Sequence, residues 1–231
     1  MDKIQTIEKL FYYIVASSYL FIPLCLFSEK IRKKGTVPFV LGIYGLICFL
    51  ALLYFEEFLP KEYRNYYFIS YTTFEYLIFA FIFFNFITTK KIKNLIRILS
   101  LIYILFQVVY LFTQNNTVLD TVPIGIETIL IFTFITYSFL DFSRNYPGQA
   151  AFSNYIFWIS IGILIYLGGS FFFYIMIDQL DKTQRDTFGN LTYISEVLKN
   201  IFFIVGIYIY SRNPGEKREK NSNAVPFLDM I

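Results

Sequence analysis

The chain has 231 residues, of which 56% are hydrophobic and only 16% charged, and its formal net charge is +3. Soluble domains carry about 25% charged residues, so this composition leaves too little polar surface to clothe a soluble fold, and nothing in it indicates a nucleic-acid partner. Histidine is absent and both cysteines, Cys25 and Cys48, lie inside apolar stretches, which removes the commonest general base, the commonest transition-metal ligand and a disulfide framework.

Seven apolar blocks follow along the chain, at about 9–28, 36–55, 66–88, 94–113, 118–140, 154–177 and 190–211. Each is long enough to cross roughly 30 Å of hydrocarbon at a rise of about 1.5 Å per residue. The first block lacks a small-residue cleavage site and runs into Lys30, Arg32, Lys33 and Lys34, which marks it as a retained span. The breaks between blocks are short and carry charges or turn formers. The expectation is an all-α polytopic membrane protein, with a seven-helix transmembrane domain over 1–211 and a disordered polar tail over 212–231.

Charge sidedness orients this bundle. Thirteen of the twenty Lys and Arg residues follow the first, third, fifth and seventh blocks; six fall on the other side, and the remaining one is Lys199. The positive-inside rule puts the richer side in the cytoplasm, with the N-terminus outside and the tail inside. An odd number of spans agrees with that assignment.

Three carboxylates interrupt the apolar blocks: Glu75 in the third, Glu127 in the fifth and Glu196 in the seventh, which also holds Lys199 and Asn200. Counted from the outer edge, Glu75, Glu127 and Lys199 lie about nine residues deep, roughly 14 Å by helix rise, with Glu196 about one turn shallower. A charge near the bilayer centre costs at least about 2.5–3.5 kcal/mol, so such groups face the bundle interior and find partners there. Glu196, Lys199 and Asn200 are spaced to share one helix face. These five residues form a candidate ligand, ion or proton site. The competing expectation is a structural link between helices, although inter-helix polar contacts contribute only about 0.6 kcal/mol on average. Tyr71, Thr72, Tyr76, Gln107, Gly169 and Ser170 are candidates to line a pocket at this depth, and Gly168, Gly169 and Ser170 equally allow close helix packing.

No nucleotide-binding loop, metalloprotease motif or serine-hydrolase elbow occurs, and no enzyme, metal or cofactor is expected. Two resemblances add to this. Lys199 in the last block and Glu75 in the third, with seven spans and an outside N-terminus, resemble the microbial rhodopsins, which implies a retinal Schiff base on Lys199 with Glu75 as counter-ion. The chain departs from that pattern in having a single tryptophan, Trp158, and in placing Glu196 three residues before the lysine instead of four. Phe157-Trp158, Gly162-Ile163-Leu164-Ile165-Tyr166, Gly169-Ser170-Phe171-Phe172 and Leu198-Lys199-Asn200-Ile201 resemble the last two helices of seven-helix proteins of Bacteroidota. Those are often encoded beside sensor histidine kinases or regulators. That resemblance implies a sensory or signalling module in a bacterial cytoplasmic membrane. The expected function is thus a receptor-like module that senses a ligand or proton in the polar layer and acts through a membrane or cytoplasmic partner protein. A small proton- or ion-coupled transporter and a structural subunit of a membrane complex are the alternatives.

Overall fold

The computed structural model describes residues 3–27, 35–60, 63–113, 121–176 and 180–212. Among them are seven α-helices and no strand: α1 Lys3–Leu24, α2 Thr36–Glu57, α3 Arg64–Phe86, α4 Lys90–Thr113, α5 Thr121–Asn145, α6 Tyr155–Met176 and α7 Lys182–Arg212. The basic cluster at 30–34 and the expected tail beyond Arg212 lie outside the described residues.

Six of the helices are long and apolar enough to cross a membrane, and α6 contributes a shorter apolar stretch, Tyr155–Phe171. Large apolar side chains such as Leu50, Leu101, Leu105, Val109 and Ile129 stand exposed on the outer surfaces of these helices. A helix satisfies its own backbone hydrogen bonds and turns such side chains to lipid at no cost, which is why this composition folds as helices in a bilayer. The chain is therefore a helical integral membrane protein.

The helices close into a ring. α1 packs on α2 and α7, α2 on α3, α3 on α5, α5 on α6 and α6 on α7. α4 lies against α3 and α5, and of its 24 residues only Ile96, Tyr103 and Gln107 are buried. The pairing of α6 with α7 depends on small residues. A Cβ at Gly162 would lie 2.9 Å from Phe202 Cβ and 3.1 Å from Lys199 O, and one at Gly206 would lie 2.9 Å from Ile159 Cγ1. Hydrogen in place of a side chain lets these two helix backbones approach closely.

Helix ends have local causes. Pro123 sits in the first turn of α5, where its missing N–H costs no helical bond, and Pro23 lies at the last turn of α1 before a short 3-10 turn at Cys25–Phe27. Between α5 and α6 the chain reverses at Tyr146–Gln149, where Gly148 takes φ 85° and Gln149 N–H donates to Tyr146 O at 3.3 Å.

Two helices run further than the apolar blocks. α7 starts at Lys182, two turns before the expected 190, because Asp181 and Gln184 cap it reciprocally. Gln184 N–H donates to Asp181 Oδ1 at 2.8 Å and Asp181 N–H donates to Gln184 Oε1 at 3.1 Å, a capping box. One consequence is that Asn190 lies within a helix. α5 continues to Asn145, and its last turns carry Asp141, whose carboxylate receives Thr88 N–H at 2.8 Å, Thr88 O–H at 2.9 Å and both the N–H and O–H of Thr89. Asn145 Nδ2 adds a bond to Thr88 Oγ1 at 2.9 Å. This latch satisfies donors at the start of α4 and ties the α3–α4 turn to α5.

The half of the bundle around the latch is filled with buried apolar side chains. Phe79, Ile82 and Phe83 of α3, Phe134 of α5, Ile159 and Ile163 of α6, and Phe203 and Ile207 of α7 are all buried within one apolar cluster. The opposite half is more open and holds the polar layer.

Candidate functional site

At the middle of the bundle α7 presents Lys199 and α3 presents Glu75, and the two meet with Lys199 Nζ 3.1 Å from Glu75 Oε1. Their side chains are 0% and 3% exposed. The ammonium has three protons, and it finds three acceptors: Glu75 Oε1, Tyr44 O–H at 2.6 Å and Tyr19 O–H at 3.2 Å. Tyr44 in turn donates a short hydrogen bond to Glu75 Oε1, and Tyr166 donates to Glu75 Oε2 at 2.8 Å. The Tyr166 ring also lies under the ammonium, with its centroid 3.6 Å from Nζ, close enough for a cation–π contact. Tyr71 O–H reaches Tyr19 at 3.3 Å and Glu75 at 3.5 Å. Five helices, α1, α2, α3, α6 and α7, thus meet on one ion pair.

Above this knot, toward the N-terminal ends of α1, α3, α5 and α7, the six ring helices enclose a cavity of about 330 Å³. Its floor includes Glu75, Tyr19 and Tyr166, the same groups that hold Lys199. Its walls are aromatic and apolar: Tyr12, Phe55, Tyr67, Tyr193, Leu52 and Ile124 are among them. Three carboxylates, Glu75, Glu127 and Glu196, line it, and among its described lining residues there is no lysine or arginine. Glu127 is only 2% exposed, and its Oε1 is a buried acceptor with no hydrogen-bond partner; Glu196 Oε2 is in the same condition.

Six of the residues singled out in the sequence line this cavity: Glu75, Glu127, Glu196, Tyr71, Thr72 and Ser170. Lys199 lies beneath it and does not line it. Asn200, expected to share the polar face of Glu196 and Lys199, instead donates to Ser18 Oγ of α1 at 2.8 Å. The reason is angular: on α7, Glu196 turns into the cavity, Lys199 to the bundle centre and Asn200 to the α1 seam. Tyr76 faces α4, where its O–H pairs with Ser100 Oγ at 2.9 Å, and Gln107, itself on α4, donates through Nε2 to Tyr103 O–H one turn earlier on that helix at 2.5 Å. Gly169 sits against the neighbouring helix, where a Cβ would lie 3.0 Å from Ser195 Cβ. Depth alone placed these three near the layer, but the faces of their helices turn them away from the cavity. Tyr19, Tyr44 and Tyr166 were not picked out by the sequence; the depth count applied to tyrosines, and not only to charges, would have reached them.

The residues around Lys199 do not fit a retinal Schiff base. The nitrogen that would bind the chromophore is fully buried, does not open to the cavity, and has each of its three protons engaged. Among the described residues no group of three or more His, Cys, Asp or Glu is placed to hold a metal ion. Cys48 is free and lines the cavity, with Sγ 3.9 Å from Tyr71 O–H; Cys25 is also free and lies outside it.

No family model, no curated protein and no solved structure matches the chain.

Proposed function

We propose that the protein is a receptor-like signalling module that takes a small ligand in the six-helix cavity and reports its presence through helix packing to a partner protein. The observation that carries this is the double role of Glu75, Tyr19 and Tyr166. Each lines the cavity, and each also holds the Lys199 ammonium that joins five helices. A ligand that competes for any of these groups changes the partners of the ion pair, and so biases the relative positions of α1, α2, α3, α6 and α7 at once. Such a bias requires only that the ligand bind two packings of the bundle with different affinity. The cluster of buried apolar side chains beneath the knot supports transmission of a shift over passage of a solute.

In this proposal the cavity opens outward, since the charge distribution puts the N-terminus outside and the basic segments in the cytoplasm of a bacterial cell. The partner, a kinase or regulator, docks in the membrane or at the cytoplasmic face.

The test is crosslinking in native membranes with a tagged chain, identifying captured proteins by mass spectrometry, for the native protein and for Glu75→Gln and Lys199→Met. A specific partner, with output altered in both variants while membrane insertion persists, supports the receptor. Unaltered output in both variants sinks it. A second reading, a small proton- or ion-coupled transporter, is favoured by one observation: Glu127 and Glu196 carry buried oxygens with no partner, as groups that load and release a cation would. It requires substrate flux in proteoliposomes that Glu127→Gln abolishes.

A further inference from the structure

The cavity has two carboxylates left over once Glu75 is matched by Lys199. Glu127 comes from α5 and Glu196 from α7, and α6 stands between those helices in the ring. The two acids therefore address the cavity from separate walls. Each has one oxygen shut off from solvent that no donor satisfies, and Glu127 is 2% exposed. A buried acceptor of this kind is costly unless a ligand or proton supplies the missing hydrogen bond. The remaining surfaces supply the other half of a recognition site. Tyr12, Tyr67 and Tyr193 supply aromatic rings, a group that attracts ammonium ions, and Leu52, Ile124 and Leu167 offer an apolar wall for a hydrocarbon spacer.

We infer that the cavity binds an organic diammonium ion of the alkyl-diamine class, with one nitrogen on Glu127, the other on Glu196 and the alkyl chain along the apolar wall. The separation of the two acids in the ring is what selects two charges over one. A bare transition-metal ion is disfavoured because no three His, Cys, Asp or Glu side chains gather among the described residues. A neutral ligand leaves both acids without counter-charge. This ligand class rests on the proposal that the cavity is a ligand site.

The experiment uses the full chain purified into lipid nanodiscs at fixed ionic strength. Binding is measured by calorimetry and by the shift in melting temperature with 1,4-diaminobutane. Butylamine serves as the single-charge comparison and 1,4-butanediol as the neutral one. The expected result is saturable binding of the diamine, at least about tenfold tighter than butylamine, with no binding of the diol. Glu127→Gln and Glu196→Gln should each reduce diamine affinity to about that of butylamine. If Glu127→Gln does not fold, Glu196→Gln, at a less buried position, carries the comparison alone. Diamine binding no tighter than that of butylamine, or unchanged in folded variants, overturns the inference. Saturable binding of the diol alone overturns the ligand class while leaving the cavity as a ligand site. Because binding is read on the isolated chain, failure to capture a signalling partner counts against the receptor and not against the diamine.

Discussion

Lys199 Nζ stands 3.1 Å from Glu75 Oε1 across 124 positions of sequence, with both side chains shielded from solvent. Removing one member of such a buried pair leaves the other charged and without its partner, which costs about 3–5 kcal/mol, whereas removing both leaves no orphan charge. Glu75→Gln and Lys199→Met should each lower the unfolding free energy by about that amount. The double variant should lose much less than the sum of the two. Denaturant unfolding of the four proteins in the same micelles checks this, and additive losses would show that the pair is not coupled.

Tyr166 acts on the pair twice, through its hydroxyl on Glu75 Oε2 at 2.8 Å and through its ring 3.6 Å from the Lys199 ammonium. The two roles separate by substitution. Tyr166→Phe removes only the hydroxyl and should cost about 1.5–3 kcal/mol, as expected for a hydrogen bond to a charged group. Tyr166→Leu also removes the ring and should cost about a further 2 kcal/mol, because the cation is desolvated. Equal losses for phenylalanine and leucine would mean that the ring contributes nothing.

Much of this arrangement was legible as chemistry and little as geometry. The seven helices could be read because lipid demands long apolar runs, and Glu75, Glu127, Glu196 and Lys199 stood out because charge is costly there. Spacing misled about which acid meets the lysine, whereas the rhodopsin resemblance pointed to Glu75. Spacing on α7 suggested Glu196 as a neighbour of Lys199, yet a residue three positions away already faces a different sector of the ring, and Glu75 on α3 is the partner. The tyrosines are harder to single out. With 20 of them in the chain, no local pattern marks Tyr44 or Tyr166, and only their depth in the span does so. The start of α7 is written in the sequence: Asp181 followed three residues later by Gln184 is a capping signature in itself.

Asp141 carries a structural role that its position at the end of an apolar run conceals. Its two oxygens accept from the backbone and hydroxyl groups of Thr88 and Thr89. Asp141→Ala leaves those donors without their acceptor and should destabilise the protein by about 2–3 kcal/mol. The loss should be local first, as faster amide hydrogen exchange at Thr88 and Thr89 ahead of any change at Glu75. Unchanged exchange at these two amides would remove the latch from the account.

Gly162 and Gly168 lie on the same helix, six residues apart in sequence, but they meet opposite surroundings. A Cβ at Gly162 would press on Phe202 Cβ at 2.9 Å and on Lys199 O at 3.1 Å, while one at Gly168 meets nothing within 4 Å. Gly162→Ala should therefore push α7 away from α6 at the turn that holds Lys199, costing about 1–3 kcal/mol as overpacking does. Gly168→Ala meets no obstacle and gains helix propensity, so it should be neutral or stabilising by up to about 1 kcal/mol. The displacement at Gly162 also moves the ammonium relative to Glu75 and Tyr44, so ligand response should fall in Gly162→Ala and persist in Gly168→Ala. Melting temperatures and ligand-induced shifts of the two variants, measured side by side, decide it. Equal behaviour would mean that the α6–α7 seam does not hold the lysine in place.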